Sequence, residues 1–62
     1  MKVLIHIKGG ASSVSGDIPV NNEAELVKFL EKKEFIIVKQ EPPKFHPAVV
    51  AKSSIGYIER KQ

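Results

Sequence analysis

The chain predicts a small α+β domain of ββαββ order, a four- to five-stranded antiparallel or mixed sheet with one helix packed on one face. Three observations carry this. Apolar residues alternate with polar ones near the start, an amphipathic stripe follows a helix-capping pair, and short β-favouring runs separated by prolines fill the second half. The whole chain, residues 1–62, is read as one domain, because a length of 62 residues cannot be divided into two cores.

Val3, Ile5 and Ile7 alternate with Lys2, His6 and Lys8, so the first segment is a strand with one apolar face, and only Leu4 breaks the pattern. Gly9-Gly10-Ala11-Ser12 supplies a reversal. Alternation then resumes through Val14, Gly16, Ile18 and Val20, giving a hairpin with the first strand. Pro19 donates no hydrogen bond, so the second strand is expected to lie at a sheet edge or to end there.

Asn22 and Glu25 stand at N-cap and N3 spacing, and Glu23 adds negative charge where a helix N-terminus is positive. A helix over about 23–33 is predicted, with Ala24, Leu26, Val27, Phe29 and Leu30 turned to the sheet and Lys28, Glu31 and Lys32 opposite. Phe35-Ile36-Ile37-Val38 is apolar on both faces and reads as a central strand, and Phe29 and Phe35 are assigned to the core. Glu41 to Pro47 holds three prolines and is a stiff loop. Ala48 to Ala51 is a further strand, Lys52-Ser53-Ser54 a bulge or turn, and Ile55 to Glu59 the last strand before a charged tail.

Composition narrows the function classes. With 42% hydrophobic and 27% charged residues the chain has an ordinary globular balance, and the absence of cysteine excludes disulfides, thiolate metal sites and cysteine nucleophiles. The first apolar run is too short for a signal core or a membrane span, so a soluble cytoplasmic protein without membrane association is expected. Ten basic residues against seven acidic ones give +3, concentrated in the second half. The only arginine is Arg60, which argues against sequence-specific reading of nucleic-acid bases.

Chemistry-bearing motifs are absent. Gly9 to Gly16 lacks the Gly-Lys pair of a phosphate-binding loop and reads as a flexible turn. His6 and His46 are forty positions apart without metal-ligand spacing, and the serines fall in no GxSxG or SxxK pattern. Neither a cofactor nor a metal is expected, and the chain reads as a non-enzymatic binding domain. Because one helix covers one face of a sheet, while the central strand is apolar on both, a homodimer formed through the open sheet face or an edge strand is the leading expectation. Leu4, Phe45 and Tyr57 are its candidate contact residues, with Phe45 as either a plug over the open face or an anchor for another protein. The second reading is a weak, sequence-independent nucleic-acid binder using a lysine-rich sheet face and the C-terminal tail, through Lys39, Lys52, Arg60 and Lys61. Clustering of these four on one exposed face favours nucleic acid, and dispersal favours protein contact.

Overall fold

A computed structural model describes residues 1–10, 12–44 and 46–61. It contains strands β1 (Lys2–Ile7) and β2 (Ser13–Asp17), helix α1 (Glu23–Glu31), strands β3 (Phe35–Gln40) and β4 (Ala48–Ala51), a 3-10 turn (Lys52–Ser54) and strand β5 (Ile55–Arg60). One five-stranded antiparallel sheet runs in the order β4-β3-β2-β1-β5 with a single α-helix among the described residues, the α+β domain the sequence predicts.

That order makes the sheet curl. Laid flat, five strands would hold β4 and β5 about 19 Å apart. A 3-10 turn advances only about 2 Å per residue, so the link from Ala51 to Ile55 spans roughly 8 Å. The two edge strands must therefore approach each other at this end. The turn is fixed there by Lys52 N–H donating to the Glu34 carbonyl before β3, and by Lys8 N–H after β1 donating to the Ser54 carbonyl, each at 2.8 Å.

Curling gives the sheet a concave and a convex side. Val3 and Ile5 of β1, Ile36 and Val38 of β3, and Val50 of β4 line the concave side, joined by Ile18 and Val20 from the β2–α1 connection and Leu26 of α1. All eight are buried, each contributing about 1.5–3 kcal/mol of hydrophobic stabilisation. Gly16 lies on this side opposite Val3 and Gln40. A Cβ there would overlap the Lys39 carbonyl oxygen and come within 2.8 Å of Val38 Cγ1, so β2 approaches β3 only because residue 16 has no side chain.

The helix begins as predicted. Asn22 is extended (φ −154°, ψ 175°) and its Oδ1 accepts the Glu25 N–H at 2.9 Å. Glu25 returns the contact one residue earlier than in a standard capping box, accepting the Asn21 N–H at 2.9 Å. At the other end Lys52 Nζ donates to the Leu30 carbonyl at 2.9 Å.

Several expectations are corrected. The helix ends at Glu31, and of its predicted stripe only Leu26 is buried, with Phe29 and Leu30 half-buried and Val27 60% exposed. Of the two alternatives Pro19 leaves for β2, the second holds: the strand ends at Asp17, before the proline, and lies in the middle of the sheet. Phe35 is not a core residue: it is 60% exposed, because β3 turns only Ile36 and Val38 inward. Phe45, the candidate plug, falls outside the described residues.

Candidate functional site: an exposed apolar strip on β3 and β4

The odd-numbered residues of β3 face the convex side. In the antiparallel register Ile37 stands opposite Val49, and Phe35 opposite Ala51. The Lys52–Glu34 hydrogen bond, one position beyond Phe35–Ala51, fixes the alternation. Ile36–Val50 and Val38–Ala48 are then the hydrogen-bonded pairs, while Ile37–Val49 and Phe35–Ala51 are non-hydrogen-bonded pairs, whose side chains lie closest. The result is a contiguous apolar strip with Phe35 at 60%, Ile37 at 62% and Val49 at 66% exposure. A shallow groove of about 380 Å³ beside Ile37, lined by Asp17, Ile18, Pro19 and Lys39, continues the surface to the β2–α1 connection.

Leu4 and Tyr57 lie elsewhere. They share the convex face of β1, β2 and β5 with His6, Ser15 and Glu59. Leu4 is half-buried. Tyr57 stacks on His6 with ring centroids 4.1 Å apart, and His6 Nε2 lies 2.6 Å from Glu59 Oε1. Both rings are therefore partly engaged within the chain. Neither Leu4 nor Tyr57 joins the β3–β4 strip, from which β2 separates them.

A polar network closes the convex face beyond Leu4. Ser15 Oγ donates to Glu41 Oε1 at 2.5 Å and accepts from Lys61 Nζ at 2.7 Å, and Lys61 also reaches Glu41 at 2.9 Å. The hydroxyl of Ser15 and the ammonium of Lys61 together hold the Glu41 carboxyl below its usual range. With its hydroxyl hydrogen on Glu41 and its lone pair on an ion-paired lysine, Ser15 is arranged as a structural bridge.

The four candidate polyanion contacts are dispersed. Arg60 binds Glu23 through both carboxylate oxygens (3.2 and 3.3 Å), tying β5 to the helix start. Glu23's own backbone N–H, followed by Arg60, lowers its pKa. Lys61 is held by Ser15 and Glu41. Lys52 occupies the 3-10 turn near the start of β3, whereas Lys39 lies near the far end of that strand, opposite Asp17. Only Lys39 and Lys61 share the convex face at one end, and Asp17 and Glu41 are interleaved with them.

The strip was hidden from sequence reasoning by the uniformity of the Phe35–Val38 run, which offers no polar residue to mark an outer face. Pairing supplies what the sequence does not: Gly16 stands opposite Gln40, which puts the even-numbered residues of both strands inside. Among the described residues no group of three His, Asp or Glu side chains is placed to hold a metal ion. Among the described residues no helix is long and apolar enough to cross a membrane. Compared with family models, curated proteins and solved structures, the chain matches none.

Proposed function

We propose that this chain is a non-enzymatic, homo-oligomeric protein-interaction domain that associates through the β3–β4 hairpin. The observation that carries the reading is the Phe35–Ile37–Val49 strip, three large apolar side chains on one face, Ile37 directly opposite Val49, each at least 60% exposed. Apolar patches of about 300–600 Å² are the largest on typical monomers and often mark interaction sites. The contact surface thus moves from Leu4 and Tyr57 to β3 and β4. A nucleic-acid role is the weaker reading, since Arg60 and Lys61 are engaged in ion pairs and Lys52 caps the helix.

Light scattering or sedimentation of the chain from about 10 µM to about 1 mM tests the reading. The expected result is a mass rising toward twice the 6.9 kDa of one chain, with Ile37→Lys remaining monomeric and unchanged in melting temperature. A single monomer mass across the range would refute it.

A further inference from the structure

The two free edges of the sheet are built differently. On β5, Lys61 N–H donates to the Lys2 carbonyl at 2.8 Å, so Leu4–Glu59 and His6–Tyr57 are the hydrogen-bonded pairs with β1, and the backbone of Ile58 and Arg60 points outward. That edge carries Glu59 and Arg60 and is interrupted by a register shift between His6 and Ile7. Charge and irregularity of this kind block strand addition.

β4 has neither protection. Its four residues are uncharged and its register with β3 is regular. Because Ala48 and Val50 are hydrogen-bonded to β3, the N–H groups of Val49 and Ala51 and the carbonyl of Val49 point away from it. Among the described residues no backbone hydrogen bond outside the ladder and the 3-10 turn uses them.

We propose that β4 pairs antiparallel with β4 of a second copy of this chain about a two-fold axis at Val50, fusing two sheets into one of ten strands. This inference rests on the self-association reading and specifies its geometry. Three isologous registers bring outward-facing residues together. Centring on Val49 sets Ala51 against Pro47, which has no N–H. Centring on Ala51 sets Val49 against Ser53, inside the 3-10 turn. Centring on Val50 sets each Val49 against the second copy's Ala51, and all the outward groups find partners.

The same register matches side-chain size. On the convex face each cross-strand row reads Ile37, Val49, then Ala51 and Phe35 of the second copy, so the small Ala51 lies between the larger Val49 and Phe35. Two strips become one continuous layer. Pro47 and the 3-10 turn stop the pairing on either side, giving a closed dimer rather than a fibre. The paired strands are uncharged while each chain carries +3, so salt should strengthen association by screening repulsion. The paired strand is only four residues long, so the dimer is expected to be weak and concentration-dependent.

The chain has no cysteine, so single-cysteine crosslinking reads the register directly. In Val50→Cys the two sulfurs would belong to a non-hydrogen-bonded pair with Cα atoms about 4.5 Å apart, within disulfide range. Oxidation should give a disulfide dimer with wild-type circular dichroism, and Leu4→Cys should not crosslink. Val49→Pro removes an outward N–H that β3 does not use, and should weaken dimerisation at least about tenfold without unfolding the chain. If Val49→Pro unfolds, the Val50→Cys crosslink decides. A chain that dimerises while Leu4→Cys crosslinks and Val50→Cys does not, or whose association salt weakens, overturns the edge pairing and leaves self-association standing. A chain that never dimerises overturns both.

Discussion

Replacing Gly16 by alanine inserts one methyl group where β2 and β3 meet. The added Cβ would overlap the Lys39 carbonyl oxygen and lie 2.8 Å from the carbonyl carbon. Both are backbone atoms of a strand that is also paired with β4, so relief requires β3 to move away from β2, with Val38 and Ile36 in the core behind it. Overpacking of this kind costs about 1–3 kcal/mol, and a rigid backbone neighbour puts the expectation at the upper end, about 2–3 kcal/mol. A chain of this length has a total stability of roughly 3–9 kcal/mol, so the loss is a large fraction of it. The melting temperature should fall by about 10–20 °C. Two other glycines serve as internal standards. Gly9 has φ +66° and open space within 4 Å of where a methyl group would sit, so Gly9→Ala should cost only the left-handed backbone penalty, about 1–2 kcal/mol. Gly10 meets nothing closer than 3.7 Å, and Gly10→Ala should be neutral or slightly stabilising. Thermal and urea unfolding followed by circular dichroism ranks the three. If Gly16→Ala melts within about 3 °C of Gly10→Ala, the close approach of β2 to β3 is wrong, and the inward assignment of even-numbered residues fails with it.

Asn22→Ala removes the acceptor for the Glu25 N–H and should lower stability by about 1 kcal/mol, read as a melting temperature about 4–8 °C lower. Glu41 has a folded-state pKa below the usual 4.5, so its contribution is fully present above that value and is lost as pH falls through the lower folded one. Glu41→Gln should therefore melt below wild type at neutral pH, and the difference should vanish on acidification; a difference that persists to about pH 2 would show that the carboxylate charge is not its source.

How far the fold can be read from the sequence depends on how local each cause is. The β1 alternation, the Asn22–Glu25 pair and the proline loop each act within a few residues, and they place β1, the helix start and the β3–β4 connection correctly. The curl of the sheet has no local cause. It follows from strand order, which brings β4 and β5 to opposite edges and then joins them with three residues. Gly16 illustrates the same limit. In sequence it belongs to a flexible, serine-rich stretch, whereas in the fold it is a point where β3 lies too near β2 for a side chain. Arg60 and Glu23, thirty-seven positions apart, meet only because β5 returns beside β1 and ends near the helix.

The short length of the chain suggests a core too small to complete itself, with self-association as the remedy. The structure separates these two ideas. Among the described residues eight buried apolar side chains fill the concave side, and no buried side-chain polar atom lacks a partner. Curling lets so few residues enclose a core, because both ends of the sheet and the β2–α1 connection contribute to the same side. Of the exposed large hydrophobic side chains, Val27 and Tyr57 lie on other elements, whereas Phe35, Ile37 and Val49 lie together on β3 and β4. Polar β-formers at these positions would satisfy the strand pattern equally well, since the core draws only on Ile36, Val38 and Val50 from this hairpin. The convex faces of β1, β2 and β5 are mixed instead, with His6, Ser15 and Glu59 beside Leu4 and Tyr57. An apolar face on the one hairpin whose outer edge is also uncharged is thus a local feature of β3 and β4. The buried core does not draw on it, which is why the association proposed above is assigned to this hairpin.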